Sequence, residues 1–254
     1  MFAMRDPRPV TRRELMREAL KFTGAFGIVL TANSLAEAVG GPAVEVPISK
    51  AVDHLLLGVS DLQEGIAFVE RQTGVRASIG GKHPGVGTHN ALLSLGSRQY
   101  LEIIAPDPEQ SALTPRYEHL RQKKIPQLFT WAAASSDVQA LASKASTAGL
   151  ETAGPFAGSR ARPDGRLLNW KTLAIQNSLG GVIPFFIEWG KDVVHPSDDA
   201  PAGCQLIGLE LSHPEPQLVR EMLRKVGIAA EVKRGQAEKL RATIKTPKGN
   251  VELS

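Results

Sequence analysis

A histidine inside an aliphatic run, and glutamates inside two others, are the residues of this sequence best suited to chemistry. His54 interrupts Val52–Val59, "VDHLLLGV", a stretch that reads as a β-strand. A strand this apolar carries its polar member into packed surroundings, where unpaired imidazole nitrogens cost about 2 kcal/mol or more. Glu102 in "YLEII" and Glu188 in "PFFIEW" pose the same problem with a full charge, because a buried carboxylate demands a counter-charge. One imidazole and two carboxylates converging on a point would hold a divalent ion. Hard oxygen donors with a single nitrogen suit Mn²⁺, Zn²⁺, Fe²⁺ or Ni²⁺. The expected metal ligands are therefore His54, Glu102 and Glu188.

Other candidates surround this set. His83 and His89 flank the glycines of "GGKHPGVGTHN", which lacks the Lys-Ser/Thr ending of a phosphate-binding loop. The segment reads as a mobile hairpin or as a lid whose histidines contact substrate. Asn169 is a further substrate-contact candidate, and its neighbour Trp170 a core residue. Arg160, Arg162 and Arg166 in "GSRARPDGR" could steer an anion, although a solvated loop is the plainer expectation. His195 in "VVHPSDD" reads as a turn residue and as a substitute ligand, while His119 and His213 read as surface or capping residues. No Ser-His-Asp spacing and no dinucleotide-binding fingerprint is present.

The elements that must position these side chains recur. Strand Val52–Val59 leads to a helix from Asp61 to Thr73, then to strands Ala91–Leu95 and Tyr100–Ile104. The pattern restarts at "LFTWAAA", with helix "SSDVQALASKASTAGL" and strands "LLNWKTLAI" and "IPFFIEW". A third, shorter copy begins at "CQLIGLEL" and ends at "NVELS". His54, Thr130 and Leu206 head the three units at equal steps, and Glu102, Glu188 and Glu252 occupy their closing strands. The fold expected is α+β, with repeated βαβββ modules whose two curved mixed sheets form a cup, plus a third shorter module. With Leu206 in place of the histidine, the third module should bind no metal. Its apolar sheet face should pack on the other two or pair in a symmetric homodimer.

The formal net charge of +4 is spread rather than gathered into a basic stripe, which argues against nucleic acid as a partner. A lone cysteine, Cys204, excludes an internal disulfide and a cysteine-cluster metal site. The N-terminus stands apart. Thr11-Arg12-Arg13 precedes the mostly apolar stretch Phe22–Leu30 and an A-x-A pattern at Ala36-Glu37-Ala38. This resembles a twin-arginine export signal, with Leu15 and Met16 where Phe-Leu is usual. Residues 1–38 are expected to be removed and the remainder to work in the periplasm or elsewhere outside the cytoplasm. Without use of the signal the protein stays cytoplasmic. Residues 39–190 would then form the two-module domain and 191–254 the third module. No membrane span is expected after removal.

Taken together, "DHLLLGVSDL", "HPGVGTHNALLSLG" and "YLEIIAPDP" resemble a glyoxalase-like domain of the vicinal oxygen chelate superfamily, most strongly in the first unit. The resemblance implies paired βαβββ modules around a metal that chelates vicinal oxygens. It carries the four metal positions of a glyoxalase-I-type site onto His54, Glu102, Thr130 and Glu188. Thr130 is a poor ligand at neutral pH, so open positions would remain for water or substrate. The activity implied is that of a metal-dependent lyase or isomerase on a small oxygenated molecule, with Glu102 or Glu188 as general base. The alternative implied is a binding protein that sequesters a small molecule without catalysis.

Overall fold

The computed structural model describes residues 45–162 and 164–254. The twin-arginine-like segment and its cleavage pattern near Ala38 lie outside the described residues. The described chain enters through a two-residue strand β1 (Val46–Pro47) and one helical turn α1 (Ile48–Ala51). The first unit is β2 (Val52–Gly58), α2 (Leu62–Thr73), β3 (Ser78–His83), β4 (Thr88–Ser94) and β5 (Tyr100–Pro106). A 3₁₀ helix, Pro115–Gln122, leads to the second unit. That unit is β6 (Gln127–Ala134), α3 (Val138–Thr147), β7 (Thr152–Ala161), β8 (Leu167–Ile175) and β9 (Phe185–Trp189).

Local chemistry sets the helices. The Asp61 side chain caps α2 by accepting from the Glu64 amide over 2.9 Å, and Gly74 closes the helix in a left-handed conformation. Leu62, Ile66 and Val69 form its buried stripe. Gly65 lies on that stripe because a Cβ there would stand 2.7 Å from Ile103, so its absence lets α2 sit close on the sheet. Asp137 caps α3 in the same way through the Ala140 amide.

The two units share one eight-stranded sheet, ordered β3-β4-β5-β2-β6-β9-β8-β7. Each unit pairs its first strand in parallel with its last, β2 with β5 and β6 with β9, and the halves join through antiparallel β2 and β6. The two expected curved sheets are thus halves of one continuous sheet. The central pairing leaves neither half with an open edge there. Curling brings the outer strands β3 and β7 together, where Arg160 of β7 donates to the Gly80 carbonyl of β3. The result is a cup.

The third region begins after α4 (Pro196–Asp199) and comprises β10 (Gln205–His213), α5 (Pro216–Lys225), β11 (Ile228–Ala229), β12 (Val232–Arg234), β13 (Lys239–Thr246) and β14 (Gly249–Leu253). Its four-stranded sheet runs β12-β10-β13-β14, so its first strand does not pair with its last. It differs here from the first two units, and Glu252 does not match Glu102 in place. That glutamate is exposed opposite Arg241 at 3.7 Å. Val219, Met222 and Leu223 of α5 join Leu211, Leu240 and Ile244 in the same hydrophobic core as Leu55, Leu57 and Trp131. Each such buried side chain contributes about 1.5–3 kcal/mol. No helix among the described residues is long and apolar enough to cross a membrane.

Candidate active site

Strand alternation builds the site. Along β5, Tyr100, Glu102 and Ile104 line a cavity of about 600 Å³ inside the cup, while Leu101 and Ile103 enter the core. His54 and Leu56 of β2, His83 of β3 and Asn90 of β4 line the same cavity. Arg160 and Gly158 of β7, Trp170 of β8, and Phe185, Ile187 and Trp189 of β9 complete the wall.

Glu102 is buried at the centre of the polar side. Asn90 Nδ2 donates to its Oε1 over 2.6 Å. His54 Nε2 stands 3.5 Å from Oε2, and His83 Nε2 stands 3.8 Å from Oε1. A Cβ on Gly80 would lie 2.3 Å from Asn90 Oδ1, so only glycine leaves room for this amide. His54 is clamped from both sides. Its ring stacks on Tyr100 with centroids 4.6 Å apart, and its Nδ1 meets Asp53 Oδ1 at 2.8 Å.

Asp53 was not anticipated as part of the site. The β2–β6 register skips it, a bulge that lets two successive polar residues serve one network. Trp189 Nε1 donates to its Oδ2 over 3.1 Å, and His195 Nε2 approaches the same oxygen at 3.2 Å. The Ser197 amide donates to His195 Nδ1, which leaves the ring proton on Nε2, facing Asp53. Burial opposes ionisation of Asp53, but hydrogen bonds from His195 and then His54 outweigh it and hold its pKa at about 2, below the usual 3.8. An ionised Asp53 accepts the Nδ1 proton of His54. His54 Nε2 then faces Glu102 Oε2 across 3.5 Å, with Asp53 holding the ring from its other nitrogen.

His83 is held neutral. Burial pushes its pKa down more than Glu102 pulls it up, and its Nδ1 bonds to Thr88 Oγ1 at 2.8 Å. Burial likewise pushes the Tyr100 phenol well above its ordinary value, so its hydroxyl stays protonated.

Several residues singled out in the sequence lie elsewhere than expected. Glu188 faces away from the cup. It is half-buried, accepting from the Val138 amide at 2.9 Å and from Lys171 Nζ at 3.2 Å. The strand registers explain the miss: Ala132 faces Phe185 as His54 faces Tyr100, and Ala134 faces Ile187 as Leu56 faces Glu102. On β9 the side chains facing the cup, as Tyr100 and Glu102 do on β5, are therefore Phe185, Ile187 and Trp189, and Glu188 takes the opposite face. Thr130 instead lines a neighbouring cavity with Phe129 and Gly181. His89 and Asn169 lie on the faces of β4 and β8 opposite Asn90 and Trp170, away from the cup. Arg160 is on a strand and buried, not on a solvated loop. His195 acts behind His54, through Asp53.

The donor set does not fit the expected three-ligand ion. With Glu188 outside, β9 turns Phe185, Ile187 and Trp189 into the cup, none of which supplies a carboxylate. Among the described residues no three His, Cys, Asp or Glu side chains are grouped closely enough to hold a metal.

Two βαβββ units closing one cup, with a carboxylate on the last strand of the first, are the arrangement expected of a glyoxalase-like domain. The glyoxalase-like domain model matches residues 52–227, and the chain belongs to that family. A hypothetical protein from Staphylococcus aureus is similar in fold, with 15% identity and TM-score 0.61 over 80% of this chain and 98% of that one. Methylmalonyl-CoA epimerase from Mycobacterium tuberculosis matches at 18% identity and TM-score 0.39, covering 55% of this chain and 86% of its own. The Streptomyces coelicolor epimerase in complex with 2-nitronate-propionyl-CoA matches at 17% identity and TM-score 0.41, covering 55% and 96%. No curated protein matches the chain.

Proposed function

We propose that the protein is an acid–base enzyme, of isomerase or lyase type, that moves a proton on a small oxygenated molecule held in the cup. The observation that carries this reading is the buried Glu102 carboxylate 3.5 Å from His54 Nε2, with the imidazole itself oriented by Asp53. Asn90 occupies Glu102 Oε1, which leaves Oε2 to take a proton from a carbon beside a carbonyl. His54 Nε2 shares or returns that proton. The protonated Tyr100 hydroxyl is a donor for negative charge developing on the substrate oxygen. No step uses a metal, because the donors present do not close around one.

The second reading is sequestration without turnover, favoured by the apolar wall of Trp170, Phe185, Ile187 and Trp189. Deuterium uptake from D₂O into a panel of dicarbonyls, hydroxy acids and 2-oxo acids separates the two. Exchange that disappears in Glu102→Gln supports the enzyme, and binding without exchange supports sequestration. Repeating the assay with added Mn²⁺, Zn²⁺, Fe²⁺ or Ni²⁺ tests metal dependence directly. We also propose export, on the strength of Thr11-Arg12-Arg13 and the A-x-A pattern at Ala36–Ala38. Intact mass of protein from a native host should show loss of residues 1–38. A full-length cytoplasmic product would overturn that proposal.

A further inference from the structure

We propose that the cup takes a small carboxylic acid, and that Arg160 is the residue that binds its carboxylate. This rests on the reading of the cup as a substrate site and names the class of substrate. Three arginines lie close together in sequence and have different fates. Arg162, its side chain largely buried, pairs with Asp199, and Arg166 pairs with Asp164 at the surface. Arg160 is 5% exposed, lines the cavity, and has no ion-pair partner among the described residues. Its one hydrogen bond among them runs from Nη1 to the Gly80 carbonyl, which fixes the guanidinium but supplies no charge.

A cation buried without a counter-ion is costly, and burial pushes the Arg160 pKa down while Glu102 and Tyr100 only partly oppose it. A ligand carboxylate removes that cost. Guanidinium also presents several N–H donors in one plane, the geometry that carboxylates match. The other end of the cavity completes the argument. Asn90 donates to Glu102 Oε1 and His54 Nε2 stands 3.5 Å from its Oε2, so Glu102 has polar partners of its own and does not pair with Arg160. A small acid anchored on Arg160 lies in the same cavity as Glu102 and His54, with its apolar part against Phe185 and Trp189.

The test compares acids with their neutral amides. Pyruvate, lactate and malonate are titrated into the wild-type protein beside pyruvamide, lactamide and malonamide, with binding read by calorimetry. The acids should bind at least about ten-fold more tightly than the amides. Arg160→Met should erase that preference, while Arg160→Lys, which keeps a cation, should retain it in weakened form. Glu102→Gln should bind the acids as tightly as wild type or more tightly, since it removes a like charge. Equal affinity for acids and amides, no binding of either, or an unchanged preference in a folded Arg160→Met protein would overturn the proposal. If Arg160→Met does not fold, the wild-type preference and Arg160→Lys decide. Acid binding without deuterium exchange would sink the enzyme reading and leave this one standing.

Discussion

The two units of the cup have the same strand pairing and different contents. Into the cup the first turns His54 and Glu102, and the second turns Ile187 and aromatic side chains. Behind the first lies a polar network running through Asp53 to His195. The second contributes the Trp170–Trp189 pair, with centroids 5.7 Å apart, and Phe185. A duplicated architecture therefore supports a one-sided site, with proton chemistry on one wall and apolar contact on the other. An ion held between the units would need donors from both. Here the second unit has spent its inward positions on packing, and its glutamate faces helix α3.

Four substitutions or conditions would break or sharpen that contrast. The largest effect is expected from Glu102→Gln, which should lower deuterium exchange about 10²–10⁴-fold. Near wild-type exchange would remove the first unit's claim to the chemistry. Asp53→Ala leaves Trp189, His195 and His54 Nδ1 donors buried without an acceptor, and should destabilise the fold by about 3 kcal/mol in urea titration. The same network predicts the acid limit. Asp53 has its pKa depressed on folding from 3.8 to about 2, so its stabilisation is complete above about pH 4. It is lost as pH falls through 2, and amounts to about 2 kcal/mol. Asp53→Asn should flatten this part of the stability profile, and an unchanged profile would show that the histidines do not hold the carboxylate. The smallest effect is expected from Glu188→Gln. Its half-buried contacts with Lys171 and the start of α3 should contribute less than about 1 kcal/mol, with exchange within about two-fold of wild type. A loss as large as that of Glu102→Gln would restore equivalence to the two units.

Much of this was legible in the residues. Apolar flanks placed His54 and Glu102 on buried strands, and Asp61 and Asp137 marked helix starts where the caps are found. His83, singled out from the glycine-rich segment that returns the chain to β4, lines the same cavity as His54 and Glu102. The strand order β12-β10-β13-β14 was not legible, because a βα unit followed by three strands permits more than one pairing. Arg160 was misjudged for a related reason. Its neighbours Arg162, Pro163, Asp164 and Gly165 read as a turn, and only the meeting of β3 and β7 buries its side chain.

Local sequence alone determined most of the strands and helices, though not β7, and that alternate residues of β5 divide between cup and core. Tertiary structure alone decided which glutamate of the pair belongs to the site. The likeness of the closing strands "YLEI" and "FIEW" aligned Glu188 with Glu102, one residue out of step with the cup-facing Phe185, Ile187 and Trp189 of β9. Side chains alternate faces with a period of two, so that slip turns Glu188 out and Ile187 in. Alternation is a property of one strand and is written along it. Register is a relation between strands, settled only when hydrogen bonds, bulges and the core are satisfied together.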